Sequence, residues 1–143
     1  MSQTIVLSQN LGGGQHGEGV AAGAITPGHC VMQDVNGKLV VQTGAGTGAP
    51  AWVAKEDALQ GRTIDTAYAV NDPVFYHKCR AGDELNLLIA AGAIAVVLTD
   101  HLTYAADGTV KKATGGDALI FKPMEAKDNS GGGAAVRIKA RKV

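Results

Sequence analysis

Residues 31–44 (VMQDVNGKLVVQTG) align without a gap onto residues 102–115 (LTYAADGTVKKATG) at an offset of 71. Gly37 meets Gly108, Leu39 meets Val110 and Thr43 meets Thr114. The same offset pairs Val53 with Met124, Asp57 with Asp128 and Gly61 with Gly132. Upstream, Ala21-Ala22-Gly23-Ala24-Ile25 recurs as Ala90-Ala91-Gly92-Ala93-Ile94, at an offset of 69. Unrelated hairpins of similar composition would match once, not repeatedly in one order. A period of this kind marks one supersecondary unit used twice. The expected organisation is a duplicated β unit, with pseudo-repeats at about 20–65 and 90–143 and an inserted hairpin at about 66–89 between them.

The unit reads as short strands with a turn every 8–12 residues, the pattern of small barrels and sandwiches. Asn36-Gly37 separates Val31–Val35 from Lys38–Val41, and Asp107-Gly108 separates Leu102–Ala106 from Thr109–Lys111. Such dipeptides favour a two-residue type I′ hairpin turn, which needs positive φ at both central residues. Asn71-Asp72-Pro73 opens a strand over 74–79, and Ala81-Gly82-Asp83 turns into one from Glu84. Ala134 to Lys139 alternates and closes the chain. Leu85 to Leu98 reads as strand, because Gly92 interrupts any helix and Val96-Val97 is β-branched. Ala49 to Leu59 fits either a helix or a strand. The expected fold class is all-β: a small β-barrel or β-tulip-like domain over 20–143, with internal duplication and a flexible N-terminal arm over 1–19.

The arm is expected from composition. Thr4-Ile5-Val6-Leu7 can form a short strand, but Asn10 to Gly19 holds five glycines and no bulky apolar residue after Leu11. Glycine leaves a chain conformationally free at high entropic cost. Over the whole chain, 23 alanines and 20 glycines against 33 Leu, Ile, Val and Phe make a thin core, which burial between subunits would reinforce.

Several classes lose weight. No apolar run approaches the roughly 18–20 residues of a membrane span, and MSQTIVLSQN lacks the cationic start of a secretory signal. Thirteen basic and thirteen acidic residues balance, so neither a membrane nor a nucleic acid is expected as partner. Cys30 and Cys79 are too few for a disulfide scaffold and suit synthesis in a reducing cytoplasm.

The search for chemistry yields little. His77 and Cys79 share one face of a strand, whereas His29 and Cys30 point to opposite faces. The four histidines and two cysteines show no metal-ligand spacing. Cys79 with His29 as base would need a lowered thiol pKa, for which nothing in the sequence provides. Ser2, Ser8 and Ser130 stand outside any nucleophile-elbow motif. Asp83-Glu84 is turn chemistry, and TGAGTGA over 43–49 lacks the Lys-Ser/Thr of a phosphate loop. Met124-Glu125-Ala126-Lys127 faintly resembles the lysine hairpin of biotinyl carriers, without its second methionine. Arg137, Lys139, Arg141 and Lys142 form a cationic stripe, expected to protect a sheet edge. No catalytic residue, cofactor or metal site is expected; the chain reads as an interaction protein rather than an enzyme.

Two stretches carry a family resemblance. Residues 68–94 (YAVNDPVFYHKCRAGDELNLLIAAGAI), and residues 100–110 followed by Ala113-Thr114-Gly115-Gly116-Asp117-Ala118, resemble the capsid decoration, or cement, proteins of tailed bacteriophages. Gly-Asp phrases of the kind "G-D-E-x-N-x-x-L-A-x-G" recur there, and 129–132 matches the usual approach to the last strand. The resemblance covers roughly residues 20–143. It departs at Asn71-Asp72-Pro73, where a Gly-Asp turn is expected, and at Pro27-Gly28-His29, which interrupts the first copy. The resemblance implies a virion protein on the outer face of an expanded head, with the major capsid protein as partner and commonly a homotrimer. It implies head stabilisation by bridging capsid subunits. The arm residues Thr4, Ile5, Val6 and Leu7 are the expected capsid-binding segment. The alternatives are another virion or surface-lattice β protein, such as a head-fibre base or a small tail component, and a carrier or enzyme domain.

Overall fold

The computed structural model describes residues 4–9 and 15–143. Eleven strands run in order: β1 (Val6–Ser8), β2 (Gln15–Val20), β3 (Cys30–Gln33), β4 (Leu39–Val41), β5 (Trp52–Ala54), β6 (Pro73–Lys78), β7 (Glu84–Ile89), β8 (Leu102–Tyr104), β9 (Val110–Lys112), β10 (Phe121–Pro123) and β11 (Val136–Lys142). Apart from a 3-10 turn at Ala58–Gln60, no helix occurs among the described residues. The fold is all-β.

The strands form two sheets with one topology. The first runs β2-β6-β5-β3-β4 and the second β1-β7-β11-β10-β8-β9, the same five-strand order with β1 added beside β7. Each curls round on itself through a single parallel pairing. Ile89 pairs with Val110 in the second, and an isolated bridge joins Ala21 to Leu39 in the first. The same hydrogen bond seals each closure: Ala22 N–H to Leu39 O and Ala90 N–H to Val110 O, both 2.9 Å. A reciprocal bridge, Ile25 with Tyr68 and Val96 with Lys127, is likewise shared. The duplication therefore extends through five strands of each sheet, and β1 has no counterpart.

The register gives the true correspondence. Val31↔Val41 and Leu102↔Lys112 are equivalent at the offset of 71. Trp52 of β5 matches Phe121 of β10 at an offset of 69, each pairing with the last residue of the next strand in the chain, Lys78 of β6 or Lys142 of β11. Val53 and Met124 are thus not equivalent; the loop before β10 is two residues shorter. Ala21 and Ile25 correspond to Ile89 and Val96, so the Ala21–Ile25/Ala90–Ile94 alignment does not follow the structure.

The unit boundaries also differ from the expectation. β6 and β7 do not form an inserted hairpin: β6 pairs with β2 and β5, β7 with β11, β9 and β1. β6 is the last strand of the first unit and β7 the first of the second. The hairpin turns differ as well. Gly37 and Gly108 have φ of 77° and 84°, but Asn36 and Asp107 are not in the left-handed region. Asp34 N–H bonds to Lys38 O and Ala105 N–H to Thr109 O, so each loop has three residues with one left-handed glycine.

Most of the described part of the expected arm is strand, β1 over Val6–Ser8 and β2 from Gln15. β1 lies against the start of β7, with Val6 opposite Leu85, and Ile5 is fully buried in the second barrel's core. β2 pairs with β6 over its whole length. Its glycines serve close packing rather than freedom: a Cβ on Gly17 would strike the Tyr76 ring, and one on Gly19 would sit 2.8 Å from Leu39. Residues 1–3 and 10–14 of the expected arm lie outside the described residues.

Strand alternation divides the first sheet between two cores. Val31, Leu39, Ala54, Val74 and Tyr76 fill the first barrel with Ile25 and Tyr68. Their neighbours Cys30, Ala51 and Val53 face the other way and join the larger core of Leu85, Leu87, Ile89, Leu102, Tyr104, Phe121 and Ile138. Each barrel is small, and this shared core makes the pair one body.

Candidate docking surface

One local device recurs throughout and accounts for the Asp-bearing phrases. In 80–83, Asp83 N–H bonds to Arg80 O at 3.1 Å while its carboxylate takes Arg80 N–H at 2.9 Å. The same double closure joins Ala69 with Asp72, Val97 with Asp100, and Thr114 with Asp117. Gly82 supplies the positive φ (95°) in its turn. Asn71 supplies it in place of glycine, at φ 71°, which its short polar side chain tolerates. At 26–29 the turn is built with Gly28 at φ 97°, and His29 Nδ1 takes Thr26 N–H at 3.1 Å where a carboxylate stands elsewhere. Both departures from the phrase pattern are therefore versions of one turn.

Of the candidate thiols Cys30 is buried and Cys79 half-buried. Burial pushes the Cys30 thiol up to about 12, and pushes Cys79 up as well, so both stay protonated. Burial also lowers His29, against the opposing charge of Asp107. His77 Nε2 meets Asp83 Oδ2 at 2.8 Å with both side chains inaccessible, locking the end of β6 to the turn that starts β7. No group of three or more metal-ligating side chains occurs among the described residues. Lys127 pairs by its backbone with Val96 rather than sitting in a tight hairpin, unlike the carrier lysine it was compared with.

Arg137, Lys139 and Arg141 alternate outward from β11, with Ile138 and Ala140 inward. β11 lies between β7 and β10, so the cations protect no sheet edge. Arg141 pairs with Glu84 at 2.9 Å, and Arg137 bonds to Pro27 O and Ile64 O.

That last contact belongs to the surface between the units. The tip of the β8–β9 hairpin inserts against the first unit: Cys30 N–H bonds to Gly108 O at 2.7 Å, and Gly108 N–H to Gln42 O at 2.9 Å. Gly46 bonds to Tyr104 O and to Ala118 N–H, and Tyr104 Oη donates to Ala49 O at 2.8 Å. Thr26 and His29 of the first unit share a pocket with Leu88 and Arg137 of the second.

Of the arm residues Thr4, Ile5, Val6 and Leu7, Ile5 is buried, Val6 and Leu7 are half-buried and Thr4 is exposed, so the segment packs on its own chain. Ile5 N–H bonds to Glu56 Oε2 at 3.0 Å and its carbonyl takes Asn86 N–H at 2.8 Å, so the chain uses this segment itself. Exposed apolar side chains lie elsewhere: Val20, Val35 and Val70 in the first unit, Ile94, Val97, Leu98, Leu119 and Met124 in the second. Leu98, Pro123 and Met124 line a groove of about 410 Å³ with Lys122 and Arg141 at its sides. Sequence reasoning missed these, because an exposed leucine or valine has the same pattern as a core one until the pairing is known. On Trp52 the face is aromatic: its ring stacks on Tyr76 at 5.2 Å, and Lys78 Nζ lies 5.3 Å above it. The chain matches no family model and no curated protein.

Proposed function

We propose that the protein is a structural virion component that docks on the outer surface of an expanded bacteriophage capsid, with the major capsid protein as its partner. The observation that carries the reading is the recurrent turn closed by a side chain on its own first N–H. It recurs through the stretches that resemble cement proteins and also accounts for both places where the resemblance departs. A duplicated body presents two versions of one surface, which suits bridging of neighbouring capsid subunits. On this reading the protein performs no chemistry. It binds the assembled lattice alone and stabilises it by mass action, and several weak contacts on one rigid assembly, trimeric on this reading, reinforce one another.

The test is co-sedimentation of the purified protein with undecorated expanded capsids, with unexpanded shells as control. Saturable binding to expanded capsids, with an integral number of copies per lattice position, is expected. Absence of binding to either form would reject the proposal.

A further inference from the structure

The contact between the two units is heterologous. The second unit offers its hairpin tip, Asp107-Gly108, and the first offers the receiving edge at His29, Cys30, Val41 and Gln42. A twofold relation would also seat the first unit's tip, Asn36-Gly37, on His101 and Ala113, which correspond to Cys30 and Gln42. The structure does not make that contact. Gly108 is buried and Gly37 exposed, and Val35 is 100 % exposed.

One tip and one receiving edge are thus left open on opposite units, each the twin of a surface already used within the chain. The receiving edge keeps its geometry: Ala113 N–H bonds to His101 O at 2.8 Å, as Gln42 N–H does to Cys30 O. No partner for His101 N–H or Ala113 O occurs among the described residues. The flanks are apolar. Val97 and Leu98 are about half exposed at the positions of Thr26 and Pro27, which the second unit covers. On the offering side Val20 and Pro73 stand exposed at the positions of Leu88 and Arg137.

We infer that a second copy of this chain fills the gap, its Asn36-Gly37 tip docking on the His101–Ala113 edge of its neighbour and repeating between chains the contact made within each. A heterologous contact of this kind closes into a ring or continues as a filament. The side chains are complementary. Within the chain Asp107 faces His29; between chains Asn36 faces Asp100, so two carboxylates are not opposed. Asp100 already holds its turn and pairs with Lys112 at 3.5 Å, leaving its charge at the edge. This inference does not depend on the capsid reading.

The test is sedimentation velocity of the full chain up to about 100 μM, the range in which contacts of modest size associate. An assembly of integral chain number is expected. Asn36→Asp sets a carboxylate against Asp100 and should weaken association at least tenfold. Adding Asp100→His sets a histidine opposite the aspartate, as His29 stands opposite Asp107 between the units, and should restore it. His29 shows that histidine can hold this turn, and Asp107 that aspartate can hold this tip. A monomer throughout the range, an assembly indifferent to Asn36→Asp, or failure of the second substitution to restore association each overturns the inference.

Discussion

Gly37 and Gly108 form a matched pair that separates the cost of a turn from the cost of an interface. Both are left-handed, at φ 77° and 84°, so replacing either by alanine incurs similar backbone strain, about 1 kcal/mol. Their surroundings differ. Nothing lies within 4 Å of a Cβ built on Gly37. A Cβ on Gly108 would sit 2.8 Å from Val41 Cβ, 3.1 Å from its Cγ1 and 3.2 Å from Cys30 O. Neither Val41 Cβ nor the Cys30 carbonyl can rotate away, so the hairpin tip must retreat. Overpacking of this kind costs about 1–3 kcal/mol. Retreat also stretches the hydrogen bonds from Cys30 N–H to Gly108 O and from Gly108 N–H to Gln42 O, worth about 1 kcal/mol each. Gly37→Ala is therefore expected to lose about 1 kcal/mol and Gly108→Ala about 3–4 kcal/mol. Urea unfolding at sub-micromolar protein measures the difference without contribution from association. In thermal melts the gap should be roughly 6–8 °C for a chain of this length. Equal losses for the two variants would refute the reasoning, since the turn alone would then account for both.

Ile5→Ala should destabilise the protein by about 3 kcal/mol, because it empties a fully buried site; urea unfolding reads this, and a loss near zero would restore the free-arm expectation. Asp83→Ala should cost about 3 kcal/mol by leaving His77 buried without its partner, and unchanged denaturation would show the lock to be idle. Burial holds His29 below its ordinary pKa, so the unfolded chain takes the proton first as pH falls. Melting temperature should accordingly fall from about pH 6.5 down to the lowered pKa and level off below it. His29→Gln should flatten that interval; a slope unchanged in the variant would assign it to another group.

The duplication was legible because glycine and alternating apolar residues at the β3–β4 and β8–β9 hairpins repeat at one spacing. Its limits were not. β6 and β7 are adjacent in sequence and resemble a hairpin, and only their pairing with β2 and β11 assigns them to different units. Gly17 and Gly19 were misread for a related reason: composition cannot distinguish a glycine that moves from one crossed by Tyr76 or Leu39. β10 escaped notice because Phe121-Lys122-Pro123 is too short to show a period. The Asn36-Gly37 turn was placed correctly, but its loop length depends on the Asp34–Lys38 pairing. The exposed apolar positions were illegible, since exposure at Val97 or Val35 is a property of packing between the units and not of local pattern.

On the proposed reading this chain stabilises an expanded capsid by binding it. The direct measurement is the temperature at which undecorated expanded heads release their DNA, followed as purified protein is added. A saturable rise is predicted; at 100 times the dissociation constant the stabilisation is about 2.7 kcal/mol per site. A release temperature that stays constant at saturating protein would contradict the claim.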